Sequence, residues 1–263
     1  GRNREALDAG KEAAALWQPL ERYERYAASM RAVAVHLLWM MDFGAALAEL
    51  ERAVAVLQAS PVLLRVPLLY LQAVTLAAVG DVAEGLERLA EADAVCAHLT
   101  APYLYASGIL SSAVVNYHAM RIARASQLQH QTQEAMTALG RPWEAIDHAV
   151  IRVYGKFHLG RLQEAAALID DLEPRAERIG HRNAQWALRD CRPWLRHLTG
   201  DLAGAEREFR SVVEFAQVHH VAWGLYTELR LGENLFVQGK TDEALEIVRR
   251  IAACEPPSYT KQF

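Results

Sequence analysis

A few places in this chain carry residue types and spacings that could do chemistry. Gly239-Lys240-Thr241 ends like a phosphate-binding loop, in which backbone N–H groups cradle phosphate and a lysine meets its charge. That loop needs a glycine five residues before Gly239, where Asn234 stands, and a preceding strand. His219-His220 could offer imidazole nitrogens to a metal. Ligands on one helix sit three or four residues apart, so the adjacent pair reads as a solvated loop. His148 and His158 stand ten residues apart and complete no ligand set. Cys96, Cys191 and Cys254 form no CxxC pair, which argues against a zinc site or a disulfide framework and suits a reducing cytoplasm. No HExxH or GxSxG motif occurs. The expectation is a non-enzymatic chain with no catalytic residues, no metal and no cofactor.

The elements that would hold functional groups are set by a repeat. Gly80-Asp81-Val82-Ala83-Glu84-Gly85-Leu86 aligns with Gly160-Arg161-Leu162-Gln163-Glu164-Ala165-Ala166. Gly200-Asp201-Leu202-Ala203-Gly204-Ala205-Glu206 and Gly239-Lys240-Thr241-Asp242-Glu243-Ala244-Leu245 follow the same pattern. Gly1, Met41 and Met120 fill the register, so anchors fall at 1, 41, 80, 120, 160, 200 and 239. The fifth residue after each anchor is alanine, except at Gly85. A fixed period of this length marks a helical array.

Each period reads as a helical hairpin. Leu162, Ala165, Ala166, Ile169 and Leu172 recur at helical spacing after their anchor. The anchor glycine stops the preceding helix, and the acidic residues after it suit a helix N-terminus. The small fifth residue lets two helices approach closely. Pro19, Pro61, Pro102 and Pro142 each fit the first turn of the other helix. The anchor-led second helices are expected at 2–17, 42–58, 81–98, 121–138, 161–178, 201–218 and 240–253. The first helices are expected at 20–39, 61–79, 102–119, 142–159, 182–199 and 220–237. No strand pattern competes. One hairpin cannot bury its apolar face alone, whereas stacked hairpins can. The expected organisation is a solenoid over 1–254, about six and a half hairpins, with 255–263 opening a linker. Because the chain opens directly on a second helix, the same reading expects a piece of a longer protein.

Composition narrows the partners. Of 263 residues, 52% are hydrophobic, enough for a large core. Net charge is −4, so no basic surplus drives counterion release, and direct nucleic-acid binding is not expected. Gly1 to Ala15 is charged and shows no signal-peptide pattern. The most apolar stretch, Pro61 to Val79, carries Arg65, Pro67 and Gln72, which argues against a membrane span. The expected place is the cytoplasm, with no membrane partner.

Gly-x-apolar-x-x-Ala at a helix–turn–helix junction resembles the tetratricopeptide repeat, although that repeat has a shorter period. The resemblance implies an all-α fold, a tetratricopeptide-like right-handed superhelix of about 40-residue helical hairpins. The long period resembles the sensor solenoid of MalT-type, LuxR-family transcription activators, which belong to the STAND class of signal-transduction ATPases. Glu255-Pro256-Pro257-Ser258-Tyr259-Thr260-Lys261-Gln262-Phe263 is similar to that family's Glu-Pro-Glu-Gly-Tyr-Val-Arg-x-Phe, with Pro257 and Ser258 in place of Glu-Gly. Neither the ATPase nor the DNA-binding domain of the family is found in this sequence.

The resemblance also implies which face would bind. In such arrays the concave wall comes from the first helices, at 13, 10, 6, 3 and 2 residues before each anchor, one helical face. Polar and aromatic residues concentrate on that face from Tyr117 onward: Tyr117, His118, Tyr154, His158, Asp190, Trp194, His197, Tyr226 and Glu233. Two readings of these residues stand side by side. Either the aromatics pack neighbouring helices, or they stack on a ligand whose polar groups are fixed by the acids and histidines. Pro193, beside Trp194, either shapes the wall with a kink or is merely tolerated. The first functional reading is a sensing module of a bacterial transcription activator, with a small-molecule inducer or a regulatory protein in the concave groove. The alternatives are a scaffold binding a peptide or protein, or the helical tail of an ATPase-coupled nucleotide cyclase.

Overall fold

The computed structural model describes residues 3–58, 60–97 and 101–253. Thirteen α-helices run through them, with no strand among the described residues. They are α1 (Asn3–Trp17), α2 (Tyr23–Trp39), α3 (Phe43–Val56), α4 (Val66–Val79), α5 (Val82–Cys96), α6 (Pro102–His118), α7 (Ile122–Ala138), α8 (Pro142–His158), α9 (Leu162–Ile179), α10 (Arg182–Leu198), α11 (Leu202–Val218), α12 (Gly224–Val237) and α13 (Thr241–Ala253). Two compact units follow along the chain, one ending at Thr132 and the other beginning at Gln133. Within the first, each helix from α1 to α6 packs on the next in sequence. Within the second, the same holds from α8 to α13. The tail similar to the activator family's closing segment, 255–263, lies outside the described residues.

The helix ends explain the period. A residue with left-handed backbone sits at 21, 41, 80, 120, 140, 160, 180, 200, 220 and 239. The residue after each donates its N–H to the carbonyl five positions back, at 2.8–3.1 Å, as from Arg161 to Lys156 and from Asp201 to Arg196. This closure satisfies carbonyls that a helix C-terminus would otherwise leave orphaned. From 120 onward the punctuation therefore comes about every 20 residues, and the anchors are every second mark. Where aspartate follows the anchor it starts the next helix: Asp42, Asp81 and Asp201 accept from the N–H groups of Ala45, Glu84 and Gly204.

The small residue five after the anchor is buried at Ala46, Gly85, Ala125, Ala165, Ala205 and Ala244. At Gly85 even a methyl would not fit, since a Cβ there would come within 2.9 Å of the Ala73 carbonyl oxygen. Glycine replaces alanine where α5 lies tightest on α4.

Three helix starts differ from the sequence expectation, and one open point concerns a proline. Pro19 does not open α2, which starts at Tyr23; residues 18–22 form the turn that carries left-handed Glu21. Pro61 precedes a short 3-10 turn, Val62–Leu64, and α4 begins only at Val66. Pro67 explains the delay, because a ring without an N–H is tolerated in a first turn but not further in. The first helix expected from 220 begins at Gly224, because 220–223 are spent in the turn. Finally, α10 runs unbroken through Pro193, and α9 through Pro174.

Val62–Val79 is, among the described residues, long and apolar enough to cross a membrane by length and composition. In the fold, α4 packs against α2, α3, α5 and α6, and Val66, Leu68, Leu69, Ala73 and Ala77 are buried there. A helix covered on several sides is apolar all round for that reason.

Met120 holds a left-handed conformation, φ 57°, with its side chain 73% exposed. That conformation costs an L-residue about 1–2 kcal/mol, against which glycine's greater freedom when unfolded offsets about 0.5–1 kcal/mol. Met120→Gly is expected to stabilise the protein by about 0.5–1 kcal/mol in urea unfolding. An unchanged or lower midpoint would show that the turn is not strained.

Candidate functional site

The unit beginning at Gln133 brings most of the sequence-expected residues together. Its first helices are α8, α10 and α12, with α8 packed on α10 and α10 on α12. Tyr154 on α8 and Trp194 on α10 have ring centroids 5.9 Å apart. Phe157 approaches Trp194 at 4.8 Å, and His158 meets it edge-on at 5.9 Å. Both Tyr154 and Trp194 are half-buried and pack against the core cluster of this unit. The two readings of the aromatics are therefore compatible: one side of each ring belongs to the core.

The charge at this place comes from a residue the sequence analysis did not select. Arg230 on α12 lays its guanidinium over Trp194, 4.0 Å from the ring centroid, and lies 5.2 Å from the centroid of Tyr154. Asp190, with no exposed surface, is ion-paired to it. The acid expected to fix a ligand is thus held inside the protein, and Arg230, 19% exposed at its side chain, is the charged group at the face. Arg230 follows Tyr226 by four residues and precedes Glu233 by three, so helical spacing did place it on the same face. It was missed because the repeat offsets step over it.

The remaining residues are placed as follows. His197 Nδ1 lies 3.0 Å from the Asn234 amide nitrogen, which ties α10 to α12. Trp186 Nε1 donates to Thr227 Oγ1 at 3.0 Å and makes a second tie between them. Tyr226 stacks on Trp223 at 5.7 Å and is half-buried. Glu233 is exposed. At the C-terminal ends of the same helices, Leu159, Leu198, Phe236 and Val237 are exposed, Phe236 by 64%. Tyr117 and His118 end α6 in the other unit, half-buried, with their rings edge-on at 5.9 Å.

Burial sets the protonation states. It pushes the His118 imidazole down to about 4, and His158 lower as well, with the Arg230 charge adding to the latter. His148 on α8 is driven down to about 4 by burial, against the opposing pull of Asp147 and Glu144. The Cys191 thiol, fully buried beside Asp190, is pushed well above its ordinary range and stays protonated. Among the described residues no group of three or more His, Cys, Asp or Glu could hold a metal. His219 and His220 lie in the turn after α11, where the ring of Phe215 meets His219 at a tilt, with centroids 4.3 Å apart. Gly239-Lys240-Thr241 is the turn into α13, with Lys240 paired to Glu206.

Two predictions follow from these charges. Arg230→Ala should destabilise this unit by about 3–5 kcal/mol, because it strands the buried Asp190 carboxylate. The double variant Asp190→Leu, Arg230→Met should recover most of that loss in denaturant unfolding; no recovery would mean that the pair is not buried. His148 is neutral when folded and protonates near 6.5 when unfolded. Its contribution is therefore complete above pH 6.5 and is lost as pH falls toward 4, by on the order of 3 kcal/mol. Unfolding free energies at pH 7 and 4.5 should differ less in His148→Phe than in the parent chain.

No family model matches the sequence, and no curated protein matches it. Solved structures do match in fold. A Rap protein complexed with Competence and Sporulation Factor is similar with a TM-score of 0.74 and 15% identity, over 95% of this chain and 72% of that one. NprR in complex with its cognate peptide NprX is similar with a TM-score of 0.72 and 12% identity, over 98% of this chain and 80% of that one. A signal transduction ATPase with numerous domains (STAND) protein with a tetratricopeptide repeat sensor, from Pyrococcus horikoshii, has a TM-score of 0.64 and 10% identity. There the match covers 90% of this chain and 38% of that one. The fold is tetratricopeptide-like and all-α, as the repeat implied.

Proposed function

We propose that this chain is a non-enzymatic sensing module that binds a regulatory peptide or protein segment along the first helices of the unit beginning at Gln133. The observation that carries this reading is the stack of Tyr154, Trp194 and Arg230, half-buried and continuing into exposed Leu198, Phe236 and Val237. A large ring on an apolar face, beside one held cation, suits an anchor residue of a partner. One of the similar structures is a complex of NprR with its cognate peptide NprX, which supports a peptide over a small-molecule inducer.

The narrower reading is a sensor of a transcription activator. The likeness to the STAND protein with a tetratricopeptide sensor favours it. In that case the bound partner would bias an attached ATPase between two states by binding one better than the other. Tyr154, His158, His197, Tyr226 and Glu233 would then contact the partner, with Asp190 acting through Arg230. The place of action in this reading is the cytoplasm.

Peptides selected from a random library on the purified chain test the reading. Truncating an anchor of this kind costs about 2 kcal/mol or more, roughly thirtyfold in affinity. Selected peptides should therefore bind Trp194→Ala at least about thirtyfold more weakly, with helicity by circular dichroism unchanged. Undiminished binding to that variant would overturn the assignment of the face.

A further inference from the structure

The unit ending at Thr132 holds a cavity of about 300 Å³, at the lower end of the usual range for small-ligand pockets. It opens between α4, α5, α6 and the first part of α7. Leu104, Ile109 and Leu128 supply apolar walls, and Tyr70 and Tyr105 supply rings. Asp93 is the one charged side chain among its lining residues. The lining residues belong to the unit ending at Thr132, whereas the face proposed above lies on helices of the unit beginning at Gln133.

The polar end of the cavity is built. Tyr70 donates its hydroxyl to Asp93 Oδ1 at 2.9 Å. The hydroxyl lies directly on α6 at Gly108, where a Cβ would come within 2.5 Å of it. Glycine at 108 therefore lets Tyr70 reach across and hold the carboxylate in one orientation. Burial, then hydrogen bonds with Cys96 and Asp93, raise the Tyr70 hydroxyl above its ordinary range, so it remains a donor. Among the described residues, no cation pairs with Asp93, although burial disfavours its charge. Arg88, five residues earlier on α5, pairs with Glu84 and Glu91. An exposed carboxylate with one oxygen fixed by Tyr70, beside the exposed ring of Tyr105 and an apolar sleeve, is the complement of one kind of group. A cation gains from the carboxylate and from the ring face, and an alkyl stem gains from the sleeve.

We propose that this cavity is a binding site for an alkylammonium group, with Asp93 and Tyr105 meeting the cation and Leu104, Ile109 and Leu128 covering its stem. Two sources share this chemistry: a free small amine, and the lysine side chain of a partner. Tyr70 is a positioning residue that acts through Asp93.

Titration of the full chain with n-pentylammonium, followed by the methyl resonances of Leu104, Ile109 and Leu128, tests the site. Saturable shifts at those methyls are expected, at least tenfold weaker with n-pentanol. Asp93→Asn keeps the hydrogen bond to Tyr70 and should weaken pentylammonium tenfold or more while leaving pentanol unchanged. Ile109→Trp, which fills the cavity, should abolish the shifts whether or not Asp93→Asn folds. A blocked lysine tripeptide binding more tightly than pentylammonium identifies a protein side chain as the source, and the reverse order identifies a free amine. Equal binding of pentanol, or full affinity in folded Asp93→Asn or folded Ile109→Trp, overturns the proposal.

Discussion

A helix can reverse into its neighbour only if its last carbonyls are satisfied and its backbone turns at once. In this chain one left-handed residue at the end of each of ten helices meets both demands, and the next residue's N–H closes back five positions. Helix length, and hence the register of every inner and outer face, follows from where that residue stands. The buried small residue five positions after each anchor from Met41 onward is the second half of the same constraint. It sets how near the reversed helix can lie, down to Gly85, where no side chain fits against the α4 backbone. Six of the ten marks are glycine; Glu21, Met41, Met120 and His220 carry the strain that glycine avoids.

Upon that frame, a single buried ion pair organises the candidate face. Removing Asp190 from water is costly, and the cost is offset only while Arg230 stays with it. Arg230 is thereby held against Trp194 and Tyr154, so that a flexible cation becomes a fixed one. The hydrogen bond from Trp186 to Thr227 and the contact between His197 and Asn234 tie the same two helices and keep this register. A face held in this way loses little freedom when a partner binds, which favours affinity without further contacts.

Likeness in fold does not carry function across identities of 10–15%, because stacked hairpins serve many partners. What distinguishes this chain is the chemistry it adds at two places. One is an aromatic and cationic face on α8, α10 and α12. The other is a cavity ending in a carboxylate that Tyr70 holds across Gly108. The two differ in the charge they present, so they would recognise opposite groups.

The repeat, the all-helical class and nearly every helix boundary were legible in the amino-acid sequence. They rest on local requirements, since a stop needs a left-handed residue and a close crossing needs alanine or glycine. The residues Gly160, Ala165, Asp201 and Ala205 announce their jobs by type and spacing alone. The start of α4 was legible only in part, because Pro61 and Pro67 each permit a first turn and packing chose the later one. The aromatic face was legible as a set of positions on consecutive first helices. What sequence did not decide was which polar groups pair across it. Arg230 meets Asp190 forty residues away, one full repeat, and Tyr70 meets Asp93 from the neighbouring helix. A local pattern says which side of a helix a residue occupies. Only the packing of helix on helix brings two such sides within reach, within a hairpin for Tyr70 and Asp93 and between hairpins for Arg230 and Asp190, and so decides that Asp190 is buried and Arg230 presented.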